Sequence, residues 1–214
     1  MCGIIGYTGS EDVKGVLLDA LELLEYRGYD SAGIALADTG LKQTKVYKCA
    51  GRVKDLRVIC ESEKLITECG IGHTRWATHG GVNDTNAHPH QVGKVTLVHN
   101  GIIENYRELI ADYELESVLK SETDSEVVAA LLNKFYTGDP DEAIKKTVSK
   151  LKGTFALVIL FEDHQGEIYS VRNVSPIVAT LCKEGAMLAS DLTALCRFTT
   201  VSYTHLRAHE TGRN

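Results

Sequence analysis

The order of the predicted elements restricts the fold of this chain more than any other feature. Strands come in runs and helices come in runs, with no regular strand–helix–strand alternation, so the pattern is that of an α+β protein with layered, largely antiparallel sheets. A strand over residues 2–7 precedes a helix over about 11–25, where Val13, Val16, Leu17, Ala20, Leu21 and Leu24 recur at i, i+3, i+4 spacing and Ser10 stands at the N-cap. Strand character returns at 33–37 and, across Thr39-Gly40, at 42–48, the pattern of a hairpin. Strands at 70–75 and 94–99 follow. A helix starts after Asn105, with Glu108 placed as in a capping box. Ser121 or Thr123 opens another, since Thr123 and Glu126 precede Val127, Val128, Leu131, Leu132 and Phe135. Asp139-Pro140-Asp141-Glu142 opens a third, ended by Gly153. Strands at 154–161, 167–172, 177–181 and 186–189 complete the second half. Three prolines and no Ser- or Gly-rich linker favour one domain over residues 2–197. From Phe198 the apolar period is lost, and 198–214 reads as a tail.

Composition narrows the function. The 214 residues are 43% hydrophobic and 24% charged, enough apolar surface for a packed core and too much for a disordered chain. With 23 Lys+Arg against 29 Asp+Glu the net charge is −6, which argues against a nucleic-acid or anionic-membrane binder and for a small or zwitterionic substrate. The longest apolar run, 155–161, is too short for a bilayer, and the N-terminus lacks the basic and apolar segments of a signal peptide, so a cytoplasmic location is expected. The six cysteines form no C-x-x-C pair. Five read as small buried hydrophobes, whereas Cys2 follows the initiator Met and becomes the first residue if that Met is trimmed.

A cysteine in first place carries its nucleophilic thiol beside an α-amine of pKa about 7.7–8.0, able to act as its general base. Position alone favours a buried core residue on the first strand. The surrounding motifs bear on that choice. Tyr26-Arg27-Gly28-Tyr29-Asp30-Ser31-Ala32-Gly33 sets an Arg and an Asp between glycines at a helix-to-strand junction, either an exposed functional turn or a structural salt bridge. In Gly72-His73-Thr74-Arg75-Trp76-Ala77-Thr78-His79-Gly80, a guanidinium and hydroxyls suit an α-carboxylate. His73, His79, His88 and His90 offer a weaker alternative, a zinc site without a familiar ligand interval. Asn100-Gly101 is either a turn or two donors converging on an oxyanion. Among the carboxylates of residues 121–126, capping explains part of the run, and Asp124 is available to bind an ammonium group.

Taken in order, Cys2-Gly3-Ile4, the Tyr26–Gly33, His73–Gly80, Asn86–His90, His99–Asn105 and Ser121–Asp124 segments and Ala189-Ser190-Asp191 resemble the class II glutamine amidotransferases. The Tyr-Arg-Gly-Tyr form is similar to the glutaminase domain of the glutamine–fructose-6-phosphate aminotransferases rather than to the purine-pathway branch. The resemblance implies a four-layer αββα sandwich of the N-terminal nucleophile hydrolase type and, with no cofactor, hydrolysis of L-glutamine to glutamate and ammonia through a Cys2 thioester. It implies that Asn100 and the Gly101 amide hold the oxyanion, with Arg27 beside the nucleophile. It places Arg75 and Thr78, with His79 nearby, on the α-carboxylate, Asp124 and the Gly101 carbonyl on the α-ammonium, and Trp76 over the site. It also implies a sugar-isomerising domain binding fructose 6-phosphate, which this chain lacks. Val174 stands where the family has Gly, and residues 198–214 match neither the domain's end nor its linker and read as foreign. The alternatives are a non-catalytic glutamine sensor and the glutaminase domain of another class II amidotransferase.

Overall fold

A strand buried on both faces has to lie between two layers, and several strands of this chain meet that condition. Residues 2–62, 65–76 and 80–198 are described here in a computed structural model. In β7 (Gly153–Phe161), Phe155, Leu157, Ile159 and Phe161 face one apolar cluster while Ala156, Val158 and Leu160 face another. In β1 (Gly3–Gly9), Ile4 and Ile5 divide in the same way, as do Leu97 and Val98 in β6 (Val95–Ile103). The shared cluster, with Ile71 of β4 (Thr67–Arg75) and Ala35 of β2 (Ser31–Asp38), is the inner core between two sheets.

The first sheet has the order β3-β2-β4-β1-β10-β9, with β3 at Gln43–Ala50, β9 at Val178–Cys182 and β10 at Gly185–Ala189. The second has the order β5-β6-β7-β8, with β5 at His90–Val92 and β8 at Tyr169–Asn173. Every pairing is antiparallel. Helices α1 (Val13–Leu24) and α2 (Val53–Cys60) cover the outer face of the first sheet. Helices α3 (Tyr106–Tyr113), α4 (Asp124–Phe135) and α5 (Pro140–Val148) cover that of the second, giving the expected αββα sandwich.

The predicted hairpin forms, its strands longer than expected. The missed elements are α2, an eight-residue helix with only Val53, Leu56 and Cys60 buried, and the three-residue β5. Capping differs in three places. Ser10 does not cap α1, whose N-cap is Asp12; the Ser10 hydroxyl donates instead to Glu184 Oε2 at 3.1 Å. Asn105 is the N-cap of α3, but its side chain serves residues 150–152, donating to Lys150 O at 2.9 Å and accepting from Lys152 N at 2.9 Å. Helix α5 ends at Val148, before Gly153 begins β7. The Thr123 cap does form, its Oγ1 accepting from Glu126 N at 3.3 Å. Phe198 is partly buried against the outer core of the first sheet, and the rest of the segment read as a tail lies outside the described residues.

Candidate active site

Cys2, immediately ahead of the central strand β1, lies beside the C-terminal end of β4. Its sulfur accepts a hydrogen bond from Trp76 N at 3.3 Å, and its carbonyl accepts from Asn100 Nδ2 at 3.0 Å and Arg27 Nε at 3.3 Å. The Asn100 bond joins the two sheets at the nucleophile candidate. Burial pushes the Cys2 thiol above its ordinary value; the Trp76 amide and the charges of Arg75 and Arg27 pull it down but do not outweigh the burial. A thiol so placed needs a base to react at neutral pH.

Arg27 reaches Cys2 from a single turn of 3-10 helix, Glu25–Arg27, after which Gly28 passes tightly under β4. A Cβ at Gly28 would stand 2.6 Å from the Arg75 carbonyl carbon, so only glycine allows this approach. Arg27 is fixed by Asp191, whose Oδ2 lies 2.5 Å from its Nη1 and 2.8 Å from the Tyr26 hydroxyl. Burial alone would raise the Asp191 carboxyl; the Thr193 and Tyr26 hydrogen bonds and the Arg27 charge hold it below its ordinary value. The sequence reading placed Asp191 only within the Ala189-Ser190-Asp191 segment and gave it no role, because Tyr26 and Arg27 lie more than 160 positions away.

Asn100-Gly101 is not a turn. Both residues lie within β6, opposite Ala156 and Phe155 of β7. Gly101 has φ +136°, and any side chain there would run into the Thr154 carbonyl, so the glycine serves a close strand approach. Arg75, at the end of β4 and only 5% exposed, donates to Gly81 O at 3.2 Å. Asp124 is the first residue of α4. Its Oδ2 accepts from Ile103 N at 2.8 Å and its Oδ1 from the Ser125 hydroxyl at 3.3 Å.

Arg75, Asp124, Gly101, Trp76 and Cys2 line one cavity of about 40 Å³. Cys2, Trp76 and Gly101 also line a second of about 270 Å³, with Arg27, Asn100 and Ile102. The structure therefore brings together Cys2, Arg27, Arg75, Trp76, Asn100, Gly101 and Asp124, drawn from five separate segments. Thr78 and His79 lie outside the described residues.

Behind Asn100 stand three buried histidines. The rings of His73 and His88 meet edge-on at 4.1 Å, and those of His88 and His90 at 4.7 Å. Burial drives His73 down to about 3, and His88 and His90 well below their ordinary values. Among the described residues no three His, Cys, Asp or Glu side chains are disposed to hold a metal ion; these rings contact one another instead. No helix of the described residues is long and apolar enough to cross a membrane.

Residues 73–197 match the family described as the glutamine amidotransferase domain. The chain is 45% identical over 203 residues to the glutamine–fructose-6-phosphate aminotransferase (isomerizing) of Bacillus spizizenii and 47% identical over 204 to that of Geobacillus kaustophilus, covering 93% of this chain in each case. It spans about a third of the length of these relatives, 33% in both. Among solved structures, the glutamine phosphoribosylpyrophosphate amidotransferase of Bacillus subtilis, complexed with ADP and GMP, superposes with a TM-score of 0.79 at 25% identity, over 95% of this chain and 44% of that one. A second, described as the allosteric regulatory enzyme of purine biosynthesis, gives 0.82 at 26%. The family match covers more than half of the chain, the solved amidotransferases share its layered sheets, and the chain belongs to the glutamine amidotransferase domain family.

Proposed function

We propose that this chain hydrolyses the side-chain amide of L-glutamine, with Cys2 as nucleophile once Met1 is removed. The observation that carries this reading is the convergence on Cys2 of an amide donor, Asn100, and on one cavity of a cation, Arg75, and an anion, Asp124, suited to the two charges of an amino acid. The Cys2 α-amine takes the thiol proton as sulfur attacks the amide carbon. Asn100 Nδ2 and the Gly101 N–H hold the oxyanion, contacts worth about 3–4 kcal/mol per donor in comparable sites. The tetrahedral intermediate collapses to a γ-glutamyl thioester, and the departing nitrogen takes the proton back and leaves as ammonia. Water then cleaves the thioester to glutamate.

Arg75 and Thr78, with His79 nearby, bind the α-carboxylate, and Asp124 with the Gly101 carbonyl binds the α-ammonium. Trp76 covers the site and Arg27 holds the Cys2 main chain. The smaller cavity adjoins the larger one through Cys2, Trp76 and Gly101, which line both. In a longer protein the ammonia would pass to a sugar-isomerising domain that binds fructose 6-phosphate.

Intact mass and a coupled glutamate assay test the reading. The Met1-free chain should release glutamate from glutamine and take up one equivalent of an electrophilic glutamine analogue at Cys2. Cys2→Ala should lose at least about 1000-fold in kcat, as expected when a covalent nucleophile is removed. Met1-free protein that binds glutamine without turnover and forms no adduct would overturn it.

A further inference from the structure

We propose that His73 is a positioning residue for this hydrolysis: its Nε2–H holds the Asn100 side chain with the amide nitrogen toward Cys2. The inference rests on the glutaminase reading for its kinetic consequence, while its structural content stands apart from turnover.

The tautomer follows from the partners. His73 Nε2 lies 3.1 Å from His99 O and 3.1 Å from Asn100 Oδ1. A carbonyl oxygen only accepts, so Nε2 carries the proton, and this single N–H is shared between His99 O and Asn100 Oδ1. His88 Nδ1, also 3.1 Å from that nitrogen, therefore presents a lone pair. His73 Nδ1 is buried and meets no hydrogen-bond partner among the described residues, a place where a lone pair costs less than an orphaned N–H. Burial keeps the ring neutral down to about pH 3, so this proton arrangement holds throughout the working range.

The two ends of a carboxamide are nearly isosteric and differ only in which one donates. With the His73 donor on one side, Asn100 turns its oxygen inward and its Nδ2 toward Cys2 O at 3.0 Å. Without that donor, the reversed amide would set an oxygen against the place where the oxyanion forms. The ring itself is braced by the His88 and His90 column, which ends on the Thr123 hydroxyl, 3.0 Å from His90 Nε2 and one residue before Asp124. His73 thus ties the proposed oxyanion donor to the cap of the helix that carries the proposed ammonium ligand.

The substitution series His73→Phe, His73→Gln and His73→Asn in the whole chain separates the donor from mere packing. A glutamine amide nitrogen can occupy the place of Nε2, whereas an asparagine reaches only the place of Nδ1. His73→Phe and His73→Asn should lower kcat for glutamine about 10–100-fold with KM within about two-fold, and His73→Gln should recover most of the loss. The rate of Cys2 alkylation by iodoacetamide, which needs no oxyanion donor, should change less than about two-fold in all three. If the parent hydrolyses glutamine and His73→Phe keeps kcat within two-fold, or Gln and Asn behave alike, the inference fails and the glutaminase reading stands. Nitrogen-15 spectra of histidine-labelled protein decide the structural part without turnover. A pyrrole-type Nε2 with a pyridine-type Nδ1 is expected at His73, and the opposite assignment overturns the proposal even if the parent proves inactive.

Discussion

Val174 adopts a left-handed backbone that favours glycine, with a φ of +70°. Ser175 N donates to Asn173 O at 2.9 Å, closing a three-residue γ-turn around it. With a positive φ this is the rarer, strained form of that turn, and a β-branched side chain makes it worse. Strain of this kind costs of order 1–3 kcal/mol. The Val174 side chain is 73% exposed and contributes little packing in return. Val174→Gly should therefore stabilise the fold by about 1 kcal/mol after the entropy cost of glycine, raising Tm by about 2–4 °C in a domain of this size. Calorimetry on the two proteins checks this, and a Tm unchanged or lowered would mean that the turn stores no strain.

Helix α4 shows how one side chain serves both an element and the site. Thr123 Oγ1 accepts from Glu126 N, meets His90 Nε2 at 3.0 Å and pairs with the Ser121 hydroxyl at 2.9 Å. Thr123→Ala should cost about 1–2 kcal/mol in urea unfolding, at the upper end for a lost cap because His90 also loses its partner, and should raise KM for glutamine as Asp124 shifts. Thr123→Ser should lose less than half as much. This cap was legible in the sequence because its pattern is local, three residues from hydroxyl to carboxylate. The Asn105 pattern looks the same and fails, because Asn105 finds better partners in the Lys150–Lys152 turn, which is remote in sequence. The same contrast runs through the site. Cys2, Arg27, Arg75, Asn100 and Asp124 stood out by residue type and spacing, whereas Asp191 and the His73 contact with Asn100 depend on strand register across the sandwich. The Asn-Gly pair carries a turn preference of its own, overridden here by nine residues of pairing with β7.

The whole molecule stacks three neutral histidines in its interior, and this sets its response to acid. His73, His88 and His90 are charged at low pH in the unfolded chain, with a pKa near 6.5, but resist protonation when folded, His73 down to about 3. The unfolded state then binds more protons, so stability is complete above about pH 6.5 and falls as the pH drops toward the folded-state values. Between pH 7.5 and 5.5 the His73 ring alone should remove about 1.4 kcal/mol, and His88, His90 and His99, also lowered by burial, add in the same direction. Denaturant titrations at the two pH values measure it, and a stability equal at both would show that the rings titrate normally in the fold. The strand order has a practical consequence as well. Since β1 lies between β4 and β10, and Cys2 just ahead of it lines both cavities, residues joined in front of Cys2 would start from the wall of the candidate site. Purification handles and reporter fusions therefore belong elsewhere on the chain, and a leader sequence here would act as a built-in inhibitor until it is cut away.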